Sequence, residues 1–167
     1  TDELTQIHNR RFCMEYMSRV REMEKPNHTV FCFDLNNLKI TNDTYGHAQG
    51  DILIKSAAEV IVKAFEPHGI VARMGGDEFI AIAETNSSGE ISSMIGEFLN
   101  GISQKNVEIP DLHLSIAYGY ASCGPEEYNI EKICQIADDR MYENKQAIKR
   151  SGASLSPAQM MVPPPST

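Results

Sequence analysis

Residues 71–84 read VARMGGDEFIAIAE. Two runs of small, apolar and β-branched residues enclose a pair of glycines and a pair of acids. This punctuation predicts short strands at Ile70–Met74 and Phe79–Ala83, joined as a hairpin whose tip carries Gly75, Gly76, Asp77 and Glu78. Glycine supplies the positive φ that tight turns need. A solvated, inert tip would explain the polarity, but a phosphate–metal site would explain the combination. Backbone without side chains can lie against phosphate, and adjacent carboxylates bind a hard divalent cation.

Outward from the hairpin, the pattern alternates helices and strands. NRRFCMEYMSRVREMEK spaces Phe12, Tyr16, Val20 and Met23 as a helix that Pro26 ends. TVFCFDL reads as a buried strand. KITNDTYGHAQG is polar and turn-rich, a loop with at most a short helical piece, and DILIKSAAEVIVKAFE is an amphipathic helix with Asp51 in its first turn. After the hairpin come the helix GEISSMIGEFLNGISQ, the strand LHLSIAYGYAS and the helix IEKICQIADDRMYENKQAIKR. Without the outer helices the order is βαββαβ. This predicts an α+β fold with a ferredoxin-like core, an antiparallel central sheet and extra flanking helices. The domain is expected over residues 1–150, followed by a disordered Ser/Pro-rich tail over 151–167.

Asp34 closes the apolar strand TVFCFDL, where a lone carboxylate would carry a desolvation cost. Asp34 or Asn36 can cap the following helix. In the ferredoxin-like order, however, the first core strand lies beside the third. Asp34 then falls near Asp77 and Glu78, and three carboxylates at one sheet end call for a cation. Mg²⁺ is the expected ion, with Mn²⁺ as an alternative. Asn42, His47 and Asp51 lie in NDTYGHAQGD, where an amide and an acid can read a guanine edge or simply serve the turn and the helix start. Lys145 and Lys149, four residues apart, can grip a polyphosphate or complement a helix C-terminus.

The chain has 167 residues, 41% of them apolar, and a formal charge of −8 from 23 acids and 15 bases. That is enough apolar content for one domain core, and the acidic balance argues against a nucleic-acid partner. The four cysteines, Cys13, Cys32, Cys123 and Cys134, show no CxxC spacing and read as free thiols. No apolar run approaches the ~20 residues of a membrane span, and no signal-peptide pattern is present. The start, TDELT, lacks a methionine, so an upstream sensor or membrane region is expected to be missing.

Together these stretches resemble the GGDEF family of diguanylate cyclases. DELTQIHNRRF is similar to that family's opening motif, FDLNNLKITNDTYGHAQGD and RMGGDEF follow in its order, and ADDRMYENK resembles its closing motif. The resemblance covers about residues 2 to 150 and implies a fold of the nucleotidyl-cyclase and polymerase-palm type. It also implies condensation of two GTP into cyclic di-GMP with release of two pyrophosphates, in a cytoplasmic homodimer whose tethering to the inner membrane stays open.

Carried over by motif, Asp34 and the Leu35 carbonyl would hold Mg²⁺ together with Asp77 and Glu78, one of which takes the ribose 3′ proton. Gly75 and Gly76 would lie against GTP, and Lys39 would stabilise phosphate charge. Asn42 and Asp51 would read guanine beside His47, and Lys145 and Lys149 would bind phosphates. Lys149 stands where the family usually has Arg, which loses the bidentate fork. Asn36 and Leu38 replace a common Asp and Phe. At the family's product-inhibition motif, R-x-x-D, this chain has Glu66 and Gly69, so inhibition through that site is not expected. Asp51 favours GTP over ATP. The alternative is a degenerate copy that binds GTP or cyclic di-GMP only to signal.

Overall fold

The fold is organised by strand β2 (Thr29–Leu35), all seven residues of which are buried. The computed structural model describes residues 1–152. In chain order these form β1 (His8–Asn9), α1 (Arg10–Arg21), β2, α2 (Leu38–Tyr45), α3 (His47–Phe65), a 3₁₀ turn (Glu66–His68), β3 (Gly69–Arg73), β4 (Glu78–Ala83), α4 (Ser88–Glu108), β5 (Ile116–Ser122) and α5 (Ile130–Gly152). The expected tail lies outside the described residues, apart from its first two positions, which continue α5.

The sheet order is β1-β3-β4-β2-β5. β2 pairs antiparallel with β4 on one side and β5 on the other, and β3 pairs antiparallel with β4. Among the four core strands this is the ferredoxin-like order expected from the βαββαβ pattern. The two-residue β1 adds a parallel edge beside β3, too short to announce itself by periodicity.

β2 reads as an unbroken apolar run because both of its faces are covered. Phe31, Phe33 and Leu35 pack with Leu53, Phe65, Met94 and Phe98 under α3 and α4. Ring centroids there are 4.6 Å apart for Phe31–Phe65 and 5.2 Å for Phe33–Phe98, within the range of favourable aromatic contacts. Val30 and Cys32 face the other layer with Cys13, Met17, Ile133 and Ala137 of α1 and α5. Burying each large side chain contributes roughly 1.5–3 kcal/mol, so the two layers hold the sheet from both sides.

α5 lies directly on β5. A Cβ at Gly119 would sit 2.1 Å from the Met141 amide nitrogen, so only glycine permits this approach. Along the free edge of β5, the Arg140 guanidinium donates to the Tyr120 carbonyl (2.8 Å), and the Asn144 side chain accepts from the Tyr118 amide (3.0 Å). These bonds satisfy edge groups that would otherwise template pairing with another chain.

Several boundaries differ from expectation: β3 starts and ends one residue earlier than expected, and β4 takes in Glu78, which was expected in the hairpin tip. The buried stripe of α1 is Cys13, Met17 and Val20, while Met23 lies beyond the helix and is exposed. The polar stretch expected to be a loop is instead α2 and the start of α3, broken at Gly46, whose φ of +92° suits glycine. α2 buries no residue, so it shows no apolar stripe to read. Asp51 consequently sits beyond the first turn of α3. β5 begins at Ile116, because its partner β2 ends at Leu35 and leaves residues before 116 unpaired in the sheet. The Leu114 backbone is satisfied instead by the Asn106 amide, at 2.7 and 2.9 Å.

Candidate active site

The β2–β4 register sets Asp34 opposite Glu78, the first residue of β4, in keeping with the expected nearness of Asp34 to the hairpin acids. The hairpin tip is tied to β2 by the Leu35 amide, which donates to the Asp77 carbonyl at 2.7 Å. The tip is closed from within by the Met74 amide, which donates to the Glu78 carbonyl at 2.8 Å. One sheet end thus gathers Asp34, Leu35, Asp77 and Glu78.

Lys145, reaching from α5, donates its Nζ to Asp34 Oδ2 at 2.8 Å. The other oxygen, Oδ1, is buried with no hydrogen-bond partner. Burial pushes the Asp34 carboxyl above its ordinary value, and the Asp77 charge adds to this against the pull of Lys145. Burial alone would lower the Lys145 ammonium, but the bond to Asp34 and the fields of Asp34, Asp77 and Glu78 hold it above its usual value. Glu78 is also raised, by burial first and then by Asp34, Asp77 and Asp138, with Arg10 opposing.

Gly75 and Gly76 do not play the conformational part expected of them. Neither has a left-handed φ; among the described glycines that is Gly46. A Cβ at Gly76 would meet nothing within 4 Å, and one at Gly75 would make only ordinary contact with Glu78 Oε2 at 3.6 Å. Neither turn geometry nor packing therefore requires glycine here. What remains is an exposed backbone surface beside the acids, free of side chains.

That surface is braced from behind by Arg73, which carries no local sequence signal of this role. Arg73 donates to the Gly75 carbonyl at 3.0 Å and the Gly76 carbonyl at 2.9 Å, and pairs with Asp2 at 3.2 Å. Asp2 is fixed in turn by the Thr5 amide (3.0 Å) and hydroxyl (2.6 Å). The DELT stretch therefore anchors the hairpin from the far end of the chain. Its signal was present as a motif, but a pairing 71 positions apart is invisible to local pattern.

The remaining expected residues are not tied to this centre by any side-chain bond among the described residues. Lys39 in α2, His47 and Asp51 in α3, and Lys149 one turn beyond Lys145 are exposed and make no side-chain bond among the described residues. Asn42 faces Gly50 across the α2–α3 junction, where a Cβ would lie 1.8 Å from Asn42 Oδ1.

Among the described residues no three acids, histidines or cysteines form a ready-made metal cage. The donor set nonetheless fits Mg²⁺, which takes one or two carboxylates and completes its octahedron with water and substrate phosphate. The unpartnered Asp34 Oδ1 beside two further acids is the observation that supports the fit.

Comparison with known proteins agrees with this geometry. Residues 1–151 match the model of a family described as diguanylate cyclase, GGDEF domain. The chain is 32% identical to the signaling protein YkoW of Bacillus subtilis over 155 residues, covering 89% of this chain and 19% of that protein. It is 30% identical to the probable diguanylate cyclase DgcT of Escherichia coli, covering 87% of this chain and 33% of that one. The chain thus spans a third or less of these two relatives. Among solved structures, the GGDEF domain of DgcB from Caulobacter crescentus, crystallised with c-di-GMP, superposes with a TM-score of 0.75 at 26% identity, covering 87% of this chain and 90% of that one. The GGDEF domain of PA1120 (TpbB or YfiN) from Pseudomonas aeruginosa gives 0.73 at 28% identity, covering 87% and 88%. With the hairpin, the facing aspartate and the fold all in agreement, this chain belongs to the GGDEF family of diguanylate cyclase domains.

Proposed function

We propose that this domain condenses two GTP molecules into cyclic di-GMP. The observation that carries the reading is the open Gly75–Gly76 surface beside Asp34, whose Oδ1 is buried and unpartnered. A nucleotide triphosphate with its divalent cation uses both features.

Asp34, the Leu35 carbonyl, Asp77 and Glu78 would hold Mg²⁺, which supplies neutralisation of phosphate charge when bound. Gly75 and Gly76 let the hairpin backbone lie against the nucleotide. Lys145 and Lys149, one helical turn apart, hold the outer phosphates, and Lys39 adds positive charge from α2. Asn42 and Asp51 read the guanine edge, with His47 beside them. One of the two hairpin carboxylates, Asp77 or Glu78, accepts the proton of the 3′-hydroxyl. Each domain presents one nucleotide, so attack of one 3′-hydroxyl on a second α-phosphate brings two copies face to face, and catalysis is largely positioning.

Feedback through an R-x-x-D site is not expected. Glu66 and Gly69 occupy those positions, and a Cβ at Gly69 would lie 1.9 Å from the Ile82 carbonyl oxygen. An aspartate there would require the β3–β4 pairing to shift.

The test is incubation of concentrated protein with GTP and Mg²⁺, followed by chromatography for cyclic di-GMP. The expected result is product formation that Asp77→Asn with Glu78→Gln abolishes, undiminished by added cyclic di-GMP at low concentration. Tight GTP binding without any product, at every protein concentration, would overturn it in favour of a non-catalytic signalling domain.

A further inference from the structure

A cleft of about 330 Å³ opens on the sheet face covered by α1 and α5. Cys32 of β2 and Cys134 of α5 both line it, with Met14, Met17, Met74 and Met141 around them. The Cys32 thiol points at α5 and donates to the Cys134 carbonyl, with its Sγ 3.9 Å from that oxygen. Cys32 is buried, whereas Cys134 is partly exposed and so within reach from solvent. Cys13 is fully buried and Cys123 nearly so.

From this arrangement we infer that Cys32 and Cys134 form a peroxide-oxidisable thiol pair, with Cys134 the attacked sulfur and Cys32 the resolving one. Cys134 is the thiol within reach of solvent and Cys32 the buried one behind it, so an oxidant entering the cleft meets Cys134 first. The cleft admits a small oxidant such as hydrogen peroxide. The Cys134 sulfur attacks one peroxide oxygen, the O–O bond breaks, and the products are a sulfenic acid on Cys134 and water. The Cys32 sulfur then attacks the Cys134 sulfur, the S–O bond breaks, and the departing hydroxide leaves as water with the Cys32 proton. In sum, two thiols lose two electrons and peroxide becomes two waters. The disulfide would staple β2 to α5, the two elements that bring Asp34 and Lys145 together.

The test is peptide mapping under non-reducing conditions after treating the folded, full chain with hydrogen peroxide and blocking residual thiols. The expected product is a Cys32–Cys134 linked peptide, lighter by two hydrogens and restored by a dithiol reductant. Cys32→Ser should stop the reaction at a sulfenic acid on Cys134 that dimedone captures. Cys13→Ser should leave the cross-link intact. A cross-link involving Cys13 or Cys123, or a Cys134 left unmodified or carried to sulfinic acid in the wild-type protein without any link to Cys32, would overturn the assignment. The wild-type map decides the question even if a variant fails to fold, and it does so independently of cyclase activity.

Discussion

Gly75→Ala and Gly76→Ala separate what the hairpin glycines do for folding from what they do for a ligand. Neither residue has a left-handed φ, and the added methyl meets nothing within 4 Å at Gly76 and only an ordinary 3.6 Å contact at Gly75. Alanine reduces the freedom of the unfolded chain, so each change should stabilise the fold by about 0.4–1 kcal/mol. For a domain of this size that is a rise in Tm of roughly 1–4 °C. A nucleotide lying on the same surface would be pushed off by the methyl. An overpacking cost of about 1–3 kcal/mol corresponds to a GTP affinity lowered roughly fivefold to more than a hundredfold. Gly119→Ala is the control. Its methyl would lie 2.1 Å from the Met141 nitrogen and 2.6 Å from the Ala137 oxygen, helix backbone that cannot yield locally. A loss of about 3 kcal/mol or more is expected there. Urea denaturation followed by circular dichroism gives the stabilities, and calorimetric titration with GTP and Mg²⁺ gives the affinities. If Gly75→Ala and Gly76→Ala both destabilise the domain, the glycines serve the turn after all. If both leave GTP binding unchanged, the nucleotide does not lie on the hairpin.

Lys145→Met leaves Asp34, whose side chain is 9% exposed, without its ion-pair partner. A loss of about 1–3 kcal/mol in urea denaturation is expected, and a neutral result would mean the pair contributes nothing to the fold. Arg73→Met releases the Gly75 and Gly76 carbonyls from their brace and Asp2→Asn removes the charge that holds Arg73, so both should weaken GTP binding at a stability cost of about 1–3 kcal/mol, the first more than the second; unchanged binding in both would remove the brace from the site. His28 is 4% exposed with an unpartnered Nδ1, and burial holds it below its ordinary value despite the opposing Glu84 charge. The unfolded chain then binds the proton more readily, so stability is fully present above about pH 6.5 and falls as pH drops below it. Urea midpoints measured on either side of that value should show this decline, and His28→Phe should flatten it; an unaltered slope would place the effect elsewhere.

Much of the fold was legible because it is local. The hairpin strands, the apolar run of β2 and the helices α4 and α5 all carry period or punctuation that short-range sterics dictate. From the βαββαβ order alone, Asp34 could be set near Asp77 and Glu78, and the register places it opposite Glu78. Local pattern misled where its assumptions failed. α2 has no fully buried residue and packs only Leu38 against the core, so a mostly polar helix looked like a loop. A glycine pair in a hairpin implied positive φ, whereas the chain turns there without it.

By itself the sequence determined the chemistry available: which acids, lysines and glycines exist, and the strand and helix order that carries them. Tertiary structure alone decided their partners. Lys145 meets Asp34 across 111 positions, Asp2 meets Arg73 across 71, and Cys32 meets Cys134 across 102. No local preference encodes such pairs. They form because covering both faces of one sheet with four helices brings side chains from distant parts of the chain together.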